Sequence, residues 1–204
     1  MAYLTQLLRE KYLKWEGGYQ CYTNDVANYN SLHQLVGTNY GVGALTYEDY
    51  IGHPPTKEEM QNMPSDVPTQ IMKKYWHIIE GDILTSQSVA ELILDWFWAS
   101  GYTGIKWFQG VLQVRLGLKL TVDYRFEMWE ALEVNKQDSK KVFDILKEER
   151  LKYTDYIIKQ SISRYKIKCK SENYKPTTAD MINNTYRKFE HGWKDRINSY
   201  KFTD

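Results

Sequence analysis

Cysteine is scarce in this chain: Cys21 and Cys169 are the only two among 204 residues, far apart and without a Cys-x-x-Cys partner. A disulfide framework is thereby excluded, and two free thiols are expected. Histidine is scarce as well. His33, His53, His77 and His191 show none of the close pairing that zinc ligands require, so neither a metal nor any other cofactor is expected. No stretch approaches the ~18 apolar residues of a membrane span. Near the N-terminus, Arg9, Glu10, Lys11 and Lys14 interrupt what would be a signal-peptide core, so synthesis in the cytoplasm without a cleaved leader is expected. Arginine-rich runs and zinc-finger spacings are missing too, which argues against nucleic acid as a partner.

Aromatic residues, by contrast, are abundant: 17 Tyr and 7 Trp lift their share to 15%. Such a surplus suits carbohydrate, because flat rings pack against sugar faces, although most of the rings belong in a core or on half-buried surface. The net charge of +1 hides an asymmetry. Residues 1–100 carry 6 Lys/Arg against 12 Asp/Glu, whereas residues 101–204 carry 21 against 14. A basic second half suits an anionic polymer or surface, and it equally suits a long helix with a solvated lysine face.

The length allows one sizeable core, or one core with an appendage. Leu4, Leu7, Leu8, Tyr12 and Trp15 recur at helical spacing and predict a helix over 3–16, ended by Gly17. Residues 17–56, rich in Gly, Asn and Tyr, read as loops with a short irregular hairpin near 36–46. Further helices are expected from Thr56, over 68–79, from Ser88 to Trp98 as a central buried helix, and over 103–116. Residues 121–132, 138–168 and 178–199 also read as helical, with a polar break around Pro176. The fold class is mainly α, a helical bundle around the buried central helix. The expected organisation is a first domain over 1–115 and a helical C-terminal unit over 116–204 packed on it.

Among these residues Glu16 has the most suggestive setting. A carboxylate at a helix C-terminus opposes the helix dipole, and Trp15 and Tyr19 flank it in sequence. Both effects raise its pKa, as a general acid requires; a solvated Glu before a helix cap is the plain alternative. Asn24-Asp25 supplies a second carboxylate in a loop, and Thr38-Asn39-Tyr40-Gly41 a hydroxyl and an amide beside glycine. Asp95 lies inside the apolar central helix, where a charge needs partners, and the structural role is the favoured one.

In order, Glu16-Gly17-Gly18-Tyr19, Asn24-Asp25, Thr38–Gly41, Tyr75-Trp76 and Leu94–Gly101 resemble glycoside hydrolase family 108, whose pattern runs E-G-G-Y, N-D, T-x-Y-G, Y-W and F-D-x-x-V-N-S-G. These are lysozyme-like N-acetylmuramidases that include phage endolysins and secretion activator proteins. Trp107-Phe108-Gln109 is similar to the family's next motif, W-L-Q. Glu149-Arg150 and Phe189–Arg196 resemble the E-R and F-x-x-G-W-x-x-R of a peptidoglycan-binding helical unit often fused to the family. There are departures: Val26–Gly37 lacks the family's P-x-D-x-G-G run, Ala99 stands for Asn, and Leu94 stands for Phe.

The resemblance implies a mainly helical lysozyme-like fold that cleaves the β-1,4 bond between N-acetylmuramic acid and N-acetylglucosamine. Glu16 matches the catalytic glutamate, and Asp25 and Thr38 are expected to fill the Asp and Thr places of the wider lysozyme-like group. Tyr19, Asn39, Tyr40, Trp98 and Ser100 are expected to line the glycan groove. The expected partner is the peptidoglycan glycan strand, met at the cell wall or periplasm by a monomer. The separation of the two carboxyls decides the stereochemistry, about 5–5.5 Å for retention and about 6.5–9.5 Å for inversion. A lytic transglycosylase using the same glutamate and a non-catalytic peptidoglycan-binding or secretion-accessory protein are the competing functions.

Overall fold

The computed structural model describes residues 1–4, 14 and 17–204. The first expected helix, and with it Trp15 and Glu16, lies outside the described residues apart from Tyr3, Leu4 and Lys14. The described chain is mainly helical, and its contacts divide it into two units: Leu4–Tyr75, and Met1–Tyr3 together with Trp76–Asp204. No helix among the described residues is long and apolar enough to cross a membrane.

In the unit Leu4–Tyr75, the described residues from Gly17 onward form a looped segment pinned by short antiparallel bridges, Gln20 with Thr38, Tyr29 with Leu35 and Asn39 with Val42. The last encloses the expected hairpin turn. Asn39 and Val42 exchange backbone hydrogen bonds of 2.8 and 3.2 Å around Tyr40 and Gly41, whose φ values of 48° and 75° are those of a two-residue turn with both centres left-handed. The reading of 17–56 as loop is corrected at its end, because Ala44–Ile51 is a helix (α1). Its start carries no side-chain cap, since Gly43 stands there, so the usual N-terminal signal is missing. Ala44 and Tyr47 are buried, and Gly52 ends the helix in the left-handed conformation. Helix α2, Lys57–Gln61, starts where expected. Thr56 Oγ1 accepts from the Glu59 N–H at 3.2 Å while Glu59 accepts in return from the Thr56 N–H at 2.7 Å. Helix α3 comes next, over Val67–Ile78.

The larger unit is organised by α4, Gln87–Leu116. Ser86 caps its start, and from Val89 to Phe97 every residue but Glu91 is buried, as an apolar surface all round the helix requires. The chain end closes on this start: Asp204 Oδ1 accepts from the Ser88 N–H at 3.0 Å and from its hydroxyl at 2.8 Å. Burial raises the Asp204 pKa, but the bonds from Ser86 and Ser88 outweigh it and leave the pKa below the ordinary carboxylate value.

Helix α4 is broken at Gly101, where φ is 56° and ψ is −150°, so it runs as two helices on either side of the expected Ser100-Gly101 break. That backbone region is essentially closed to residues with a Cβ, although a methyl group itself would meet nothing within 4 Å. Gly101→Ala is therefore expected to lower stability by about 1–3 kcal/mol through backbone strain alone. Urea unfolding measures it, and an unchanged midpoint would show that the break relaxes without cost.

Beyond α4, residues 117–127 form an irregular loop where a helix was expected from 121, and α5 covers only Met128–Asn135. The loop is held by hydrogen bonds to the buried side chains of Gln109 in α4 and Glu130 in α5, which local spacing does not reveal. Helix α6, Ser139–Ser171, agrees with expectation. The single helix expected over 178–199 is instead α7 (Thr178–Asn183), a 3-10 turn (Tyr186–Phe189) and α8 (Glu190–Ser199). Thr185 makes the break, because its hydroxyl oxygen accepts from the Arg187 N–H at 3.2 Å and caps the turn.

Asp95 ties these pieces together. It is 0% exposed in the first half of α4. Arg196 Nε donates to Oδ1 at 2.6 Å, Tyr200 Oη donates to the same oxygen at 3.2 Å, and Arg150 Nε approaches Oδ2 at 3.4 Å. Arg150 in turn donates to Thr154 Oγ1 at 3.1 Å. The expected structural role is observed, with two guanidinium groups and a phenol as partners where backbone donors had been considered. Burial alone would raise the Asp95 pKa, but the charges of Arg196 and Arg150 and the bonds from Arg196 and Tyr200 hold it below the usual carboxylate range. Helices α4, α6 and α8 thus meet on one carboxylate.

Candidate active site

Glu16 lies outside the described residues, so the site is built from Gly17 onward. Tyr19 packs its ring on Gly37: a Cβ there would come within 2.5 Å of the ring, and φ at Gly37 is 99°. The Tyr19 hydroxyl donates to the Val36 carbonyl at 2.9 Å. Burial, reinforced by the Cys21 thiol beside it, pushes its pKa up to about 12. Next to it, Gln20 and Thr38 exchange two backbone hydrogen bonds of 2.8 Å. The chain leaving Glu16-Gly17-Gly18 is thereby fastened to the Thr38 segment.

Asp25 caps the 3-10 turn Val26–Asn28, its Oδ1 accepting from the Ala27 N–H at 3.1 Å. The carboxylate is half-buried. Thr38 is buried, and its hydroxyl donates to Asn28 Oδ1 at 2.5 Å. With its proton committed to Asn28, the Thr38 oxygen offers only lone pairs to any other neighbour.

Asn28 is the residue that reading the sequence missed. It is fully buried and satisfied on every side: its amide donates to the Tyr22 carbonyl at 2.9 Å, and its backbone N–H to the Asp25 carbonyl at 3.1 Å. Its own carbonyl accepts from Val36 and Gly37, at 2.9 and 3.0 Å. One asparagine therefore sets both the turn that carries Asp25 and the direction of the Thr38 hydroxyl. The only signal in the sequence was the density of Asn in a loop, shared by Asn24, Asn28 and Asn30. Asn30 has a parallel task, since its amide donates to the Pro55 carbonyl at 3.0 Å and its oxygen accepts from the Leu32 and Gln34 N–H groups.

The other residues named from sequence are divided between the two units. Asn39 is buried, and its amide donates to the Met60 carbonyl at 2.8 Å at the end of α2. Tyr40 stands at the tip of its turn and is 36% exposed. Trp98 and Ser100 belong to the larger unit, half-buried in the last turn of α4 before its break. Trp76, of the Tyr75-Trp76 pair, is buried with its indole N–H donated to Asp82 at 2.7 Å. No group of three His, Cys, Asp or Glu among the described residues is placed to hold a metal ion.

Residues 9–101 match the family model described as Glycosyl hydrolase 108. The match takes in Glu16, Asp25 and Thr38 and ends on the glycine that breaks α4. None of the curated proteins compared with the chain matches it. Among solved structures, that of Brucella abortus SagA is similar, with a TM-score of 0.65 at 19% identity over 94% of this chain and 88% of that one. At that identity the likeness is one of fold, and it extends beyond the matched segment through the C-terminal helices. By its segment 9–101, a little under half of its length, the chain is similar to glycosyl hydrolase family 108.

Proposed function

We propose that the chain is a peptidoglycan hydrolase that cleaves the β-1,4 bond between N-acetylmuramic acid and N-acetylglucosamine. Glycosidic cleavage needs a protonated carboxyl at the leaving oxygen and stabilisation of an oxocarbenium-like transition state. Glu16 is the acid in this reading. Asp25, in a polar loop, faces the developing cation or takes a proton from water, and Thr38 holds that water. The observation that carries the reading is the Thr38 hydroxyl locked onto buried Asn28. A hydroxyl so fixed accepts a hydrogen bond and gives none, which orients a water with its remaining lone pair free to attack.

A second reading draws on the Asp25 cap. If that carboxylate only closes a turn, the chain binds peptidoglycan without cutting it. Asp25→Asn separates the two, because asparagine caps as well as aspartate but cannot act as a base. Under the hydrolase reading it lowers the turnover of purified peptidoglycan by about 10²–10⁴-fold with no change in thermal stability. Mass spectrometry of wild-type digests completes the test: reducing N-acetylmuramic acid ends are expected. Anhydro ends would make the chain a transglycosylase, and intact strands would make it a binding protein.

A further inference from the structure

The excess of base in the second half of the chain is concentrated in one place. Residues 156–171, the last part of α6, hold five basic side chains, Lys159, Arg164, Lys166, Lys168 and Lys170, and no acidic one. The other 22 Lys/Arg are set against all 26 Asp/Glu. All five side chains are exposed, and none is ion-paired with a described residue. Earlier in the same helix the pattern is different, because Lys140 pairs with Asp144 and Lys152 with Glu148 and Glu149. Of the acids that bracket the run, Asp155 is engaged with Lys194 at 2.7 Å and Glu172 stands at the C-cap.

A helix C-terminus favours cations, and that accounts for Lys168 and Lys170 in the last turn. The dipole effect fades within one turn, so it leaves Lys159 and Lys166 unexplained. Lys159, Lys166 and Lys170 follow one another at intervals of seven and four residues and form a single row along the helix. At a rise of about 1.5 Å per residue the row runs for roughly 16 Å.

Beside it lies a second row with apolar members. Tyr156 and Ile167 are 11 residues apart, hence three turns along the same side, and they are 48% and 70% exposed. Tyr156 leans on Trp107 at a ring-centre distance of 5.7 Å, and Trp107 is itself 40% exposed. A lone exposed isoleucine means little. Set in line with a lysine row and exposed Tyr and Trp, it completes the pattern of a surface that meets lipid headgroups. There, cations attract anionic lipid while aromatic and aliphatic groups occupy the interface.

We propose that this face of α6 docks on an anionic phospholipid surface, with Lys159, Lys166 and Lys170 over the headgroups and Tyr156 and Ile167 entering the boundary with the acyl chains. Lysine suits that partner, because its ammonium is a point charge on a flexible stem and makes no demand on headgroup orientation. Nucleic acid would engage the cations and have no use for Ile167. The inference stands apart from the proposed cleavage: it concerns where the chain is held, and not what it cuts.

The test is co-sedimentation of the full chain with vesicles of phosphatidylcholine alone and of phosphatidylcholine mixed with phosphatidylglycerol. Binding to the mixed vesicles only, lost at high salt, is expected. Lys159→Gln, Lys166→Gln and Lys170→Gln together remove the row with a good helix former and are expected to weaken binding about a hundredfold, roughly fivefold for each charge. Ile167→Gln keeps every charge and is expected to weaken it about fivefold. Melting curves and the action on purified peptidoglycan in solution stay at the parent's level in both variants. Equal binding to the two kinds of vesicle, or full binding by the triple variant, overturns the proposal. So does binding that ignores Ile167→Gln and is matched by inorganic polyphosphate, which would make the face a general polyanion site.

Discussion

Glu16→Gln is expected to abolish the clearing of purified peptidoglycan while the protein folds as the parent does. Glutamine has nearly the shape of glutamic acid and retains a hydrogen-bonding head, so packing is little disturbed. What disappears is the proton that the leaving oxygen needs. General acid catalysis alone accounts for about 10²–10⁴ in rate, and in the proposed mechanism the same residue acts on every bond that is cut. Reducing-sugar release measures the loss, and circular dichroism with a melting curve verifies the fold. Full lytic activity in this variant would remove Glu16 from the mechanism whatever the family.

Asp95→Asn carries the largest expected effect on stability. The substitution is close to isosteric, yet it leaves Arg150 and Arg196 facing one another, buried, with no anion between them. Removing one partner of a buried ion pair costs about 3–5 kcal/mol, a large share of what holds a domain of this size together. The pH dependence comes from the direction of the Asp95 shift. Because its folded pKa lies below the unfolded value, its contribution is complete above about pH 4 and fades as the pH falls through the folded pKa. Urea unfolding at pH 7 and again below pH 4 should show the variant weaker at neutrality and closer to the parent in acid. Asp204, also depressed, leaves part of the acid sensitivity in both. A loss under about 1 kcal/mol at pH 7 would mean that other acceptors compensate the guanidinium groups.

The three motifs that converge on Asp95 show how far reading along the chain reaches. Asp95, Arg150 and Arg196 each stood within a recognisable pattern, and the burial of Asp95 followed from its apolar neighbours. Their pairing did not follow, since 55 and 101 residues separate the partners. The same contrast runs through the secondary structure. Apolar residues at intervals of three and four made α6 legible, Thr56 and Glu59 marked the start of α2, and Ser100-Gly101 marked the break in α4. Helix α1 escaped notice because Gly43 gives no capping signal. The 117–127 loop escaped because Gln109 and Glu130, and not its own residues, hold its backbone.

Around the candidate site the division is similar. The order of Glu16, Asp25 and Thr38 in the sequence suggested the chemistry proposed above, since carboxyl and hydroxyl groups keep their reactivity wherever the chain carries them. Which way the Thr38 proton points was settled by Asn28, whose own burial depends on four neighbours in space. Helical periodicity and capping are interactions among residues a turn apart, so they are written in consecutive letters. Buried charges and locked hydroxyls depend on groups that only packing brings within 4 Å of each other, and packing is a property of the whole folded unit.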